Sequence, residues 1–143
     1  MAKNQYKHMR PDERAIWQQA QRELRIPDNE LTYDLTLGEG IPIDPAWPLW
    51  QRRMVMALSR KRADVIRHTA QEWTIIEIKT RIGMSAVGQL LCYRWLFMRK
   101  FRPTTPVKML AIGQRKEPDM DYIMPLLDIT MYIVGESETK TLT

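Results

Sequence analysis

The chain has 143 residues, with 22 Lys and Arg against 17 Asp and Glu, a formal net charge of +5. That length suits one domain with a real core, and the basic balance favours a polyanionic partner. A single cysteine, Cys92, excludes a disulfide framework, and no apolar run approaches the roughly 18–20 residues that span a membrane.

The polar start, Met-Ala-Lys-Asn-Gln, carries no signal-peptide apolar stretch, so a cytoplasmic, intracellular protein is expected. Residues 1–10 read as a basic, frayed start. Asp12 to Arg25 reads as a helix, with Pro11 and Asp12 as start signals and Ala15, Ile16, Gln19, Ala20 and Leu24 as a weak apolar stripe. Ile26-Pro27-Asp28-Asn29 ends it. Leu31 to Leu37 alternates as a strand does, and Gly38 and Gly40 terminate it. A proline-rich loop follows to Pro48. Leu49 to Ser59 has Trp50, Met54 and Leu58 at helical spacing, so residues 39–60 form a helix-bearing insertion. Trp47 and Trp50 suit base stacking, or cover of the core or a dimer interface, the latter preferred.

Two short strands follow, Arg62 to Ile66 and Trp73 to Lys79, and Gly83 breaks the second. Met84 or Ser85 starts the clearest helix, which runs to about Phe101. Val87, Leu90, Leu91, Arg94, Met98 and Phe101 approximate its apolar face, with Trp95 and Phe97 widening it. Val107 to Ile112 is a buried-type strand. Asp119 to Asp128 is a helix that Pro125 should kink or split. Thr130 to Val134 is a last strand, and residues 136–143 a polar tail. The helix between the strands ending at Lys79 and starting at Val107 requires a crossover, so those strands are parallel in one sheet. The expected architecture is α/β, a mixed sheet with helices on both faces, in a single domain over residues 1–143.

Asp64, Glu77 and Lys79 are charges planted in apolar, strand-like sequence. Ala70-Gln71 is a poor two-residue turn, because primed turns prefer Gly or Asn. A loop over Thr69–Glu72 keeps the same register and sets Asp64 opposite Glu77, with Cβ atoms roughly 4.5–5.5 Å apart. Lys79 shares that face and Arg62 lies across from it. Ala63, Val65, Ile76 and Ile78 form the opposite, packing face. Two carboxylates forced together resist ionising, and a divalent cation removes that penalty. An all-oxygen ligand set suits Mg²⁺ better than Zn²⁺. The competing reading is a surface face where Lys79 and Arg62 pair with the two acids.

Gln89 and Tyr93 are four apart on the next helix and share a face, in the plainest reading a hydrogen-bonding edge. His68, opposite Trp73, is read as structural rather than a ligand, and Cys92 as core.

Asp64, then Glu77-Ile78-Lys79, then Gln89-Leu90-Leu91-Cys92-Tyr93 resembles the PD-(D/E)XK nuclease superfamily, in particular the branch with a downstream Q-x-x-x-Y motif, as in RecB-type and phage exonucleases. Ala63 stands where the superfamily's name has proline. The resemblance implies a restriction-endonuclease-like αβββαβ core with an extra C-terminal αβ unit. It implies a Mg²⁺- or Mn²⁺-dependent deoxyribonuclease, with Asp64, Glu77 and the Ile78 carbonyl on the metal and Lys79 at the phosphate. Gln89 and Tyr93 would support the site or touch the nucleic-acid backbone. The superfamily often adds another acidic ligand, for which Glu13, Glu23, Glu39 and Asp44 are candidates. Arg60, Lys61, Arg62 and Arg81 flank the triplet as expected DNA contacts. Arg67, Arg94, Arg99, Lys100 and Arg102 extend the basic path, with Arg94 and Arg99 read as bystanders. A chain this small often needs a homodimer or protein partner to wrap duplex DNA. The alternatives are a catalytically inactive DNA-binding module on the same fold, or an interaction protein of a phage or mobile element.

Overall fold

Pro11 opens helix α1 (Pro11–Leu24), where its missing N–H removes no bond because the first helical N–H groups have no intrahelical partner. The Glu13 carboxylate reaches back to the Arg10 N–H at 3.4 Å. The helix leaves through Arg25, a left-handed residue (φ 55°, ψ 48°). The computed structural model describes residues 9–59 and 61–136. Most of the basic start, Arg60 and all but the first residue of the tail lie outside them.

After α1 come β1 (Leu31–Thr36), α2 (Leu49–Ser59), β2 (Arg62–His68), β3 (Trp73–Ile82), α3 (Met84–Phe101), β4 (Val107–Lys116), α4 (Met120–Leu126) and β5 (Ile129–Ile133). The strands form one mixed sheet in the order β1-β2-β3-β4-β5. β1–β2 and β2–β3 are antiparallel, and β3–β4 and β4–β5 parallel. The crossover through α3 therefore has the expected consequence.

Strand alternation divides the apolar residues between the two faces. Val65, Ile76, Ile78 and Ile112 pack with Ile16, Trp17 and Ala20 of α1. Ile66, Ile75, Met109 and Ala111 pack with Ala86, Leu90 and Phe97 of α3 and with Met120 and Met124 of α4. Helices thus cover both faces. Ala63 departs from the expected packing face: it belongs to the α3-side core, whereas Val65 belongs to the α1-side core.

Three further expectations are corrected. The buried face of α3 is Ala86, Leu90, Tyr93 and Phe97, while Trp95, Phe101 and Cys92 are exposed. The face is rotated from the expected one because Tyr93, a polar residue, turns inward. Trp50 is 66% exposed and Met54 is also exposed, so neither covers the core. Pro125 falls in the last turn of α4, which ends one residue later, and so neither kinks nor splits it. The chain then turns into β5 through Asp128, again left-handed (φ 58°).

Candidate functional site

The β2–β3 hairpin positions the site. Thr69 N–H donates to the Glu72 carbonyl at 3.0 Å and closes the loop. His68 pairs with Trp73, Arg67 with Thr74, Ile66 with Ile75 and Val65 with Ile76, which is the register expected. His68 stacks flat on Trp73, with ring centroids 3.5 Å apart, and serves packing there. The ladder ends at Val65 and Ile76, one pair before Asp64 and Glu77. Beyond that point the Ile78 N–H donates to Asp64 Oδ2 at 3.3 Å, so a side chain stands in for a ladder carbonyl. On the other side of β2, Thr36, Leu35 and Tyr33 pair with Arg62, Ala63 and Val65, but Asp34 and Asp64 do not pair. Asp34 is left-handed there, with φ 53°. Asp64 thus sits at a break on both edges of its strand.

Arg62 is not set across from Lys79 in this ladder. Its Nη1 lies 3.3 Å from Asp34 Oδ2, in a half-buried ion pair. Asp34 was missed by sequence reasoning. The available signal was an aspartate inside a strand-like run, since aspartate is depleted in strands and visits the left-handed region more readily than most residues.

Glu77 is 2% exposed and is the one charged side chain in the core among the described residues. Burial, then the adjacent Asp64 charge, push its pKa up to about 9. Burial likewise raises Asp64, partly opposed by its contacts with Glu77 and the Ile78 N–H and by the Lys79 charge. The two carboxyl groups contact each other, and Lys79 lowers the pKa of both. Such a pair holds a proton between them where no cation balances it. Glu77 Oε1 is buried without a hydrogen-bond partner. Among the described residues no cluster of three or more His, Cys, Asp or Glu side chains forms a metal site.

Of the four candidate extra acids, Glu13 feels the Asp64 charge of the pair. Burial raises its pKa, the Arg10 N–H opposes this, and Asp64 and Lys79 both act on it. Glu23 is held elsewhere, accepting from the Tyr132 hydroxyl at 2.6 Å and the Gly135 N–H at 2.9 Å. Asp44 accepts the Ala46 N–H at 2.9 Å, and Glu39 is exposed on the loop after β1.

From α3, Tyr93 is buried and Gln89 half-buried. Burial and the Glu77 charge push the Tyr93 hydroxyl up to about 12, and Gln89 hydrogen-bonds it. Gln89 Oε1 is itself buried without a partner. The two helix residues and the carboxylate pair therefore belong to one polar cluster under α3. Lys61 and Arg81 are exposed close to it in sequence. Of the remaining cations, Arg67 binds Glu30 at 3.0 Å, Arg94 donates to the Val107 carbonyl at 2.9 Å and Lys100 to the Thr36 carbonyl at 2.6 Å.

Lys79 pairs with Gly113 of β4. A Cβ built on Gly113 would lie 2.8 Å from the Lys79 carbonyl oxygen and 2.8 Å from Ile82 Cγ1, so the strand passes Lys79 at a distance only glycine allows. Compared with protein-family models, curated proteins and solved structures, the chain matches none of them.

Proposed function

We propose that this chain is a metal-dependent nuclease hydrolysing DNA phosphodiester bonds, in recombination, repair, phage replication or related DNA processing. The observation that carries the reading is the pairing of the buried Glu77 carboxyl with the half-buried Asp64 carboxyl beside Lys79, with Glu77 Oε1 unpartnered. A pair of carboxylates held together in an apolar layer against their repulsion suits a hard divalent cation. Asp64 and Glu77 would hold Mg²⁺ or Mn²⁺, with the Ile78 carbonyl as a further ligand by the resemblance to PD-(D/E)XK nucleases. When bound, the ion supplies a water of lowered pKa and charge stabilisation at the phosphate.

The other residues have roles of their own. The Lys79 ammonium stabilises negative charge gathering on the phosphate. Tyr93 and Gln89 form a hydrogen-bonded pair electrostatically coupled to Glu77 through Tyr93. Lys61 and Arg81 offer exposed cations for the DNA backbone, and such contacts make affinity fall with salt. A five-strand mixed sheet with helices on both faces is compatible with such a core and supports the reading at the coarse level of an α/β fold.

A panel of single-stranded, duplex, flap and junction DNA with Mg²⁺ or Mn²⁺, and with EDTA as control, tests it. Cleavage should need the metal and fall about 10²-fold or more in Asp64→Ala and in Lys79→Ala. Tight DNA binding without cutting under any metal would instead mark an inactive binding module.

A further inference from the structure

A cavity of about 750 Å³ opens between α3 and the loop after β1. Its walls include Gly38, Ile41, Lys61, Leu91, Trp95 and Arg99. We propose that this groove binds one unpaired base of single-stranded DNA, stacked on the Trp95 indole, and so makes single-stranded nucleic acid the preferred substrate. The inference rests on the DNA-directed reading of the neighbouring carboxylate site.

Trp95 is 65% exposed on a helix whose Tyr93 and Phe97 are buried, and it is the large aromatic of that helix that lines the groove. An indole left in solvent above an apolar floor is an open stacking surface. Arg94 places its guanidinium carbon 5.8 Å from the Trp95 ring centroid, which helps fix the ring. Lys61 and Arg99 supply two cations to the groove against one carboxylate, Glu39. An apolar floor, one large aromatic and excess positive charge match a base with its phosphate. The volume is that of a small-molecule site, and a base inside a duplex has both faces covered by its neighbours and cannot enter.

Both walls of the groove belong to or adjoin the elements that carry the carboxylate site. On one wall, Lys61 lies three residues before Asp64, and its carbonyl accepts the Leu37 and Gly38 N–H groups at 2.7 and 3.2 Å. On the other, Cys92 lines the groove next to Tyr93, and Trp95 follows Gln89 by six residues, about 9 Å along the helix. Lys100, bonded to the Thr36 carbonyl, ties α3 to the end of β1.

The test is binding in EDTA of a short labelled oligothymidylate and of a duplex of equal length, read by anisotropy and by tryptophan fluorescence. The wild type should bind the oligothymidylate with quenching that is absent in Trp95→Ala. Trp95→Ala should weaken that binding about 5- to 150-fold, the range for loss of one stacked base. Trp95→Tyr should stay within a few-fold of wild type, and duplex binding should change little in either variant. Unchanged oligothymidylate binding in Trp95→Ala, or an equal loss for duplex, overturns the proposal. So does a fall in solution mass in Trp95→Ala with DNA binding intact, which would mark the groove as a contact for a second copy. Trp95-dependent binding without cleavage in Mg²⁺ would remove the nuclease reading and leave the groove. Cleavage of single strands unaffected by Trp95→Ala would do the reverse.

Discussion

Glu77 and Glu23 are two glutamates that the fold treats in opposite ways. Glu77 has its pKa raised from 4.5 to about 9, by burial first and then by Asp64. The folded state therefore holds the proton more tightly than the unfolded chain does. Its stabilising contribution is complete below about pH 4.5 and is lost as the pH rises toward 9. The metal-free protein should thus show a falling Tm across that window, and Glu77→Gln should flatten the fall. Added Mg²⁺ should raise Tm more at the alkaline end, where the carboxylates are free to receive it. Glu23 has the opposite sign. Burial, the largest influence, raises its pKa, but bonds from the Gly135 N–H, the Tyr132 hydroxyl and Gln19 together outweigh it and the net shift is downward. That contribution is present above the usual glutamate pKa and is lost as pH falls. Glu23→Gln keeps an accepting oxygen at a solvent-screened position, so it should cost about 1 kcal/mol or less in denaturant unfolding at pH 7, and the difference should shrink at acid pH. Glu77 was legible in the sequence because a charge in an apolar strand is conspicuous. Glu23 was not legible as a tie to the C-terminal strand, because Tyr132 and Gly135 lie 109 and 112 residues away.

At the scale of elements, the hairpin was legible because its loop length and the strand pattern jointly fix one register. The break beside Asp64 was not, since it depends on the left-handed Asp34 in a neighbouring strand. The α3 face was misjudged for a chemical reason. Hydropathy assigns Trp95 to the core and Tyr93 to the rim, whereas Tyr93 turns inward to the polar cluster beneath α3. β4 is the element whose sequence most tightly constrains the site, through Gly113. Gly113→Ala should push the Lys79 backbone aside, cost about 1–3 kcal/mol of stability and reduce cleavage in the protein that still folds. Thermal melts and the cleavage panel check the two effects separately.

Over the whole molecule, one sheet separates two apolar layers, and none of the described α2 side chains, Leu49 to Met56, belongs to either cluster. Replacing residues 42–58 with a short Gly-Ser linker should leave Tm within a few degrees, as circular dichroism melts would show. A large drop would mean that α2 supports the fold. The alternation of strands and helices was readable at this scale because most breaks carry Gly or Pro, as at Pro27, Gly38, Gly83, Pro103 and Pro118. The exposure of α2 was not, because Trp50 and Met54 carry the spacing of a buried helix. Arg25 and Arg102, which cap α1 and α3, share one more property. Both are left-handed, at φ 55° and 46°, where a side chain costs roughly 1–2 kcal/mol and glycine almost nothing. They form a reserve for thermostabilisation: Arg25→Gly and Arg102→Gly should each raise Tm by a few degrees. Asp34 offers the same backbone relief at φ 53°, but glycine there would also remove the partner of Arg62 beside the carboxylates. Heat tolerance is thus open to improvement at the helix ends, while next to Asp64 it is tied to function.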